Sequence, residues 1–245
     1  MGCGREVILA VYDSPVFHGR LGSLHGCPLF LGVGAYVVAR RSIVYIDGLN
    51  LDHGVLRGTT DRWLDLERLF TRLRPDDELE LIRYFTARVM GAHRSPQESY
   101  LRALATLPLV EVCFGKFKSK RVKCGVAACG FSGARWYRVP EEKRTDVSIA
   151  VTMLEDAVLS RCDRMILVSG DSDLVPGVAT VKALFPSIEV IVYVPTRSPV
   201  RGAAVELRSS ADKARSLPLG LLKHSQFPTI VNDGRGGMIR RPESW

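Results

Sequence analysis

The sequence predicts an α/β fold with a mainly parallel central sheet and helices on both faces. Short apolar runs such as Ile43-Val44-Tyr45-Ile46 and Met165-Ile166-Leu167-Val168 alternate with segments of helical spacing. Strand–helix–strand alternation of this kind builds a parallel sheet covered on both sides. Acidic residues also stand directly after buried strands: Asp47 closes the first run, and Asp171 and Asp173 follow the second within Ser169-Gly170-Asp171-Ser172-Asp173. Repeated on separate strands, that placement gathers carboxylates at the edge where open α/β sheets bind ligands.

Residues 1–42 read differently from the rest. They are Gly-rich, hold neither a period of 2 nor one of 3.6, and precede the first clear strand. Residues 7–12 suit a short strand and 29–39 an apolar hairpin or edge segment, and a loosely packed extension is expected. From Ser42 onward the elements follow in order. A strand at 43–46 is followed by a helix through Trp63, Leu66, Leu69, Phe70 and Leu73, stopped by Pro75. Leu81-Ile82-Arg83-Tyr84-Phe85-Thr86 reads as a strand. Ser95 as N-cap and Pro96 at the first helical position open a helix through Tyr100, Leu101 and Leu104, ending near Pro108. A strand at 109–114 leads into a basic, cysteine-containing loop. The helix expected at 146–159 carries Val147, Ala150, Val151, Leu154, Ala157 and Val158 as its apolar face. A strand at 164–168, a helix at 175–185 and a strand at 189–194 complete the alternation. Residues 203–215 form a candidate helix before a Gly/Pro-rich tail. The expected division is an extension over 1–42, a catalytic-type domain over 43–200, and a helix and tail over 201–245 packed on that domain.

With 245 residues the chain suits one sizeable domain. Its net charge is +8, from 34 Lys+Arg against 26 Asp+Glu. A basic chain that concentrates aspartates at one place suits a polyanionic substrate drawn to a metal-loaded pocket. The chain opens without a secretory pattern, and the apolar stretch 28–39 is shorter than the roughly 20 residues a membrane span needs. A cytoplasmic protein with reduced thiols and no membrane partner is expected.

Asp146, which opens the helix after Glu141-Glu142-Lys143-Arg144-Thr145, joins Asp47, Asp171 and Asp173 as a fourth acid of one site. Clustered carboxylates repel one another unless a hard cation such as Mg²⁺ or Mn²⁺ neutralises them, and magnesium favours carboxylate oxygens. The pattern therefore reads as a metal-dependent phosphodiesterase site with one or two ions. Asn50, one turn after Asp47, can position a phosphate or the attacking water. Each acid also has a plainer reading. Asp47-Gly48 can be only a turn, Asp146 only a favourable acid at a helix N-terminus, and Asp171 or Asp173 only a cap. Lys118, Lys120, Arg121 and Lys123 form a basic cluster interleaved with Phe114, Phe117, Phe131, Trp136 and Tyr137, a pattern that suits single-stranded nucleic acid. Its plain alternative is a solvated loop. Cys124 and Cys129 read as free thiols rather than zinc ligands, since tetrahedral zinc takes four ligands at tighter spacing. The five histidines are scattered, and neither a phosphate-cradling glycine loop nor a Ser-His-Asp pattern stands out.

Val44-Tyr45-Ile46-Asp47-Gly48-Leu49-Asn50-Leu51, Glu141-Glu142-Lys143-Arg144-Thr145-Asp146-Val147 and Leu167-Val168-Ser169-Gly170-Asp171-Ser172-Asp173-Leu174 resemble the three acidic motifs of the NYN domain. That family belongs to the PIN-like, LabA-like nucleases. Tyr84-Phe85-Thr86-Ala87-Arg88-Val89, Ser225-Gln226-Phe227-Pro228, Pro242 and Trp245 are also similar to its bacterial members, so the resemblance covers roughly residues 42–245. It implies a PIN-like three-layer fold and a metal-dependent ribonuclease. Asp47, Asp146, Asp171 and Asp173 would be the acidic site, with Asn50 and Ser169 as secondary members. Asp156 stays outside the site. The competing readings are a catalytically weak RNA-binding or regulatory module on the same fold, and a phosphatase. The phosphatase would need a second acid two residues after a nucleophilic Asp, where Asp47 is followed by Gly48-Leu49. RNA against single-stranded DNA, endo- against exonuclease action, and the oligomeric state stay open at this level.

Overall fold

The computed structural model describes residues 39–89, 94–126, 129–133, 135–198 and 204–245, without the side chains of 117, 118 and 139–142. The expectations for 1–38, including the strand at 7–12, lie outside the described residues. Six strands form one sheet: β1 (Arg40–Asp47), β2 (Asp77–Thr86), β3 (Val110–Phe114), β6 (Arg164–Val168), β7 (Glu189–Val194) and β8 (Lys213–Ser216). Their order is β3-β2-β1-β6-β7-β8 and every neighbouring pair is parallel. The chain thus winds outward from β1 in one direction and then, from β6, in the other. The point of reversal lies between β1 and β6, where doubly wound sheets open a crevice at the carboxyl ends of their strands.

Both faces are covered, and strand alternation assigns the side chains. From β1, Val44 and Ile46 enter one core layer with Trp63, Leu66, Leu69, Phe70, Tyr100 and Leu104, contributed by or adjoining α2 (Leu66–Leu73) and α3 (Arg94–Leu104). Ile43 and Tyr45 enter the other with Ile149, Met153, Val178 and Val181, from α4 (Thr145–Val158) and α5 (Val175–Leu184). A strand buried on both faces must read as a continuous apolar run, which is why β1 and β6 stood out in the sequence.

Besides the helix starts, where α2 begins after Trp63 and α3 already includes Ser95, three sequence-based expectations change. The loop before Asp146 is a two-stranded antiparallel hairpin, β4 (Lys116–Lys123) with β5 (Trp136–Lys143). The candidate helix at 203–215 divides into α6 (Val205–Ser210) and the edge strand β8, whose parallel pairing to β7 is anchored by Val190 N–H donating to Asp212 Oδ2 at 2.8 Å. The third change concerns α4. Val147 and Val151, assigned to its apolar face, are 68% and 59% exposed, and the face on the sheet is Ile149, Met153, Asp156 and Ala157. The acid in that stripe hid it from a reading by hydrophobicity.

Asp156 is fully buried and fully used. Its Oδ2 accepts from Tyr45 Oη at 2.7 Å and Arg83 Nε at 3.2 Å, and its Oδ1 from Arg83 Nη2 at 3.1 Å and Arg161 Nη1 at 2.8 Å. The same burial pushes the Tyr45 hydroxyl and the Cys113 thiol up, and the Cys162 thiol up to about 12, so both thiols stay protonated at neutral pH. At the amino edge of the sheet, Glu189 meets Arg40, Arg164 and Lys213. Asp77 there accepts from Arg74, Arg164 and Ser42.

The C-terminal region closes over α2 and α3 through α7 (Leu219–His224), β9 (Ile230–Asn232) and β10 (Met238–Arg240). Trp63 Nε1 donates to the Pro228 carbonyl at 2.8 Å, and the Trp63 ring packs against Tyr100, Phe227 and Trp245. The Arg62 guanidinium lies 4.5 Å from the Trp245 ring centre. The half-buried Trp245 is thereby packed against the core.

Asp156→Ala should cost about 3–5 kcal/mol in urea unfolding, because it strands a buried Arg83 and Tyr45 hydroxyl; an unchanged midpoint would refute the hub role. Acid should also act through Glu189. Burial alone would raise its carboxyl, but hydrogen bonds from Lys213 and Arg164 outweigh that and hold it at about 2 against an ordinary 4.5. A depressed folded value adds stability above the unfolded value, and that stability is lost as pH falls toward the folded one. Unfolding midpoints measured across that window should fall less steeply in Glu189→Gln than in the parent chain.

Candidate metal centre

Asp47, the last residue of β1, is 4% exposed and anchored by its neighbours. Its Oδ1 accepts from Asn50 N–H at 2.9 Å, capping the short α1 (Gly48–Leu51), and its Oδ2 accepts from Ser169 Oγ at 3.1 Å. Ser169 Oγ in turn accepts from Asp171 N–H at 3.1 Å, and Asn50 Oδ1 accepts from Gly170 N–H at 2.9 Å. Side chains therefore stitch the carboxyl ends of β1 and β6 together at the point of reversal. Gly48 is required for that closeness: a Cβ there would come within 2.7 Å of the Phe85 carbonyl and 2.6 Å of the Tyr84 ring. It faces the neighbouring strand β2.

Asp171 carries its own cap. Its Oδ1 accepts from Asp173 N–H at 3.0 Å and opens the 3₁₀ turn Ser172–Leu174 that runs into α5. Asp146 arrives from the opposite direction, in the first turn of α4, where a helix N-terminus favours negative charge. The residue just before α4, Arg144, holds φ at 80°, a left-handed conformation costly for a residue with a Cβ. Backbone strain of this kind is found where the surrounding fold fixes a site.

One oxygen from each of Asp47, Asp146 and Asp171 lies within 4.8 Å of the others. They share an open cleft of about 290 Å³ with Leu49, Asn50, His53 and Thr145. Burial raises the Asp146 carboxyl first, and the charges of Asp171 and then Asp173 raise it further. Asp173 is exposed and stands outside the three-oxygen group, though Asp146 feels its charge. Ser169 is buried behind Asp47. Lys120, Arg121 and Lys123 are exposed on β4 and do not line the cleft. The Lys118 side chain lies outside the described residues.

Sequence reasoning passed over Leu49, His53 and Thr145. His53 sits on a π turn, Asp52–Leu56, six residues after Asp47, and such turns are frequent at functional sites. Burial and then Arg57 lower the His53 imidazole, keeping it neutral at pH 7. Gly54 has no room for a side chain, as its Cβ would lie 2.0 Å from the Pro195 carbonyl.

Three converging carboxylates make a hard, anionic oxygen set. That set fits Mg²⁺ or Mn²⁺ rather than a metal that favours sulfur. Among the described residues it is the group of at least three such side chains that converge. Asp146→Asn should leave the metal-free protein as stable or more stable, since it removes a repelling charge, yet abolish most of the rise in melting temperature on adding Mn²⁺. A full Mn²⁺ shift in that variant would remove Asp146 from the ligand set. A cation competes with protons for the raised Asp146 carboxyl. Mn²⁺ affinity measured by calorimetry should therefore weaken on acidification from a pH above the ordinary carboxylate range.

Comparison with known proteins adds three findings. The chain is 29% identical, over 238 aligned residues, to 6-hydroxy-3-succinoylpyridine 3-monooxygenase HspA of Pseudomonas putida, with 84% of this chain and 75% of that protein covered. A crystal structure of a protein of unknown function from Vibrio parahaemolyticus superposes with a TM-score of 0.48 at 18% identity, covering 74% of this chain and 94% of that one. The family model of the NYN domain matches residues 41–218. That span takes in all six strands of the sheet and every residue lining the acidic cleft, so the chain belongs to the NYN domain family.

Proposed function

We propose that the protein is a metal-dependent ribonuclease that hydrolyses RNA phosphodiester bonds at the Asp47, Asp146 and Asp171 cleft. The observation that carries this reading is the convergence of those three carboxylates within 4.8 Å at the reversal point of the sheet. The family's nuclease character points to the same chemistry. Asp47, Asp146 and Asp171 would hold Mg²⁺ or Mn²⁺, with Asp173 at the rim, and the ion supplies charge neutralisation at the phosphate and an acidified water.

The chain's own groups do the rest. Asn50 Oδ1 is committed to Gly170 N–H, so the amide NH₂ is what it can offer a phosphate oxygen. Ser169 keeps Asp47 oriented by donating to Oδ2. His53, neutral at the cleft rim, can exchange a hydrogen bond with substrate without adding charge. Arg121 and Lys123, two apart on β4 and so on one face, would add affinity for the RNA backbone rather than chemistry. The proposed partner is single-stranded RNA.

The likeness to a pyridine monooxygenase sets a competing reading, oxygenation of a small aromatic. One experiment separates the two. Purified protein is incubated with labelled single-stranded RNA under Mn²⁺ or EDTA, and in parallel with 6-hydroxy-3-succinoylpyridine, NAD(P)H and a flavin. The expected result is cleavage with Mn²⁺, loss of cleavage in EDTA, and a loss of at least 10²-fold in Asp171→Asn, the order expected for a group that stabilises transition-state charge. Nucleotide oxidation that depends on the pyridine, with RNA left intact, would overturn the proposal. Equal cleavage by Asp171→Asn would place the activity elsewhere.

A further inference from the structure

We propose that the β4–β5 hairpin is a stacking arm that takes an unpaired polynucleotide strand on the face carrying Lys123, Trp136, Arg121 and Arg138. The inference rests on the ribonuclease reading for the identity of the strand as RNA, but its carrying observations lie outside the acidic cleft. In the ladder Lys123 stands opposite Trp136 and Arg121 opposite Arg138. Directly opposed residues share a face, and residues two apart on one strand share it too, so these four side chains form one patch. The Arg121 guanidinium lies 5.4 Å from the Trp136 ring centre, and Trp136 remains 51% exposed. The opposite face carries Val122, Tyr137 and Lys120.

Two features of this patch call for a partner. Arg121 directly across from Arg138 is a repulsive pair in the isolated hairpin, and a line of phosphates converts it into a favourable one. The hairpin's strands bond to each other and form a sheet apart from the central one. Two-stranded sheets are marginal alone, so a large exposed indole here does not serve the core. An indole flanked by cations is what unpaired bases use: ring on ring, with phosphates alongside. Duplex bases have their faces already stacked and cannot use it.

The arm also leads along the chain into the site. β5 ends at Lys143, and only Arg144 and Thr145 intervene before Asp146. From Trp136 to Lys143 the strand spans about 23 Å at its ordinary rise. A strand gripped at Trp136 can thus run along the hairpin toward the carboxylates, with its grip independent of any cation there.

The test is binding of a short fluorescein-labelled oligouridylate to the full chain in EDTA, beside a blunt RNA duplex and the DNA oligonucleotide of the same length. The oligouridylate should bind in EDTA and quench tryptophan emission, with the duplex at least about tenfold weaker. Of the three tryptophans Trp63 is fully buried, so loss of the quench in Trp136→Phe assigns it to Trp136. Trp136→Ala should weaken binding about tenfold, the order expected for one base–ring stack, and Trp136→Phe should keep most of it. Tyr137→Ala, on the opposite face, should bind like the parent. Equal affinity for duplex and single strand, unchanged binding by Trp136→Ala, or loss confined to Tyr137→Ala would each overturn the arm. Binding of this pattern without Mn²⁺-dependent cleavage would instead sink the ribonuclease reading and leave the arm standing. The DNA oligonucleotide tells RNA preference from general single-strand binding.

Discussion

Three carboxylates that repel one another have to be held together by something other than their own chemistry. Here the holding element is β1. It lies between β2 and β6 in parallel register, and its side chains are buried in both core layers. Sliding it out would cost the burial of Ile43, Val44, Tyr45 and Ile46 at once, several kcal/mol at the usual value per buried side chain. Against that, the repulsion of partly solvated carboxylates is small. The hydrogen bonds from Asn50 N–H and Ser169 Oγ then fix which way Asp47 faces rather than whether the acids meet. Stability resides in the apolar middle of the sheet, and its carboxyl edge is left to hold an unfavourable charge arrangement.

The two edges of the sheet show how environment decides the role of an acid. At the amino edge, burial opposes ionisation of Asp77 and Glu189, yet cationic hydrogen-bond partners override it and hold both carboxyls low. At the carboxyl edge burial and neighbouring acids act in the same direction and raise Asp146. Asp156 is a third case: a buried carboxylate enclosed by Arg83, Arg161 and Tyr45, where it ties α4 to the sheet. Acids matched by cations stabilise the fold, and acids matched by other acids make a place for a cation.

Most of this arrangement could be read from the chain. Continuous apolar runs ending in acids gave away β1 and β6, and with them Asp47 and Asp171, because a strand buried on both faces leaves an unmistakable run. What escaped was set by pairing over long distances. The face of α4 was misread because Asp156 breaks its apolar stripe, and the partners that make an acid tolerable there, Tyr45 and Arg83, lie on other strands. The hairpin reads as a loop because β4 is too charged to resemble a strand; its structure comes from pairing with β5. β8 was absorbed into a helix because four residues carry no period of their own. His53 joins the cleft only through the π turn, a backbone irregularity with no reliable sequence signature.

Membership of the NYN family fixes the scaffold without choosing the chemistry, since one scaffold hosts unrelated reactions through the site built on it. What distinguishes the readings is the pairing of two oppositely charged features along one stretch of sequence. The pocket is anionic, so an anionic substrate enters it only with a cation. The hairpin that leads into Asp146 is cationic, and its strand β5 spans about 23 Å from Trp136 to Lys143. A small substrate has a use for the pocket but none for the arm, whereas a phosphodiester chain has a use for both.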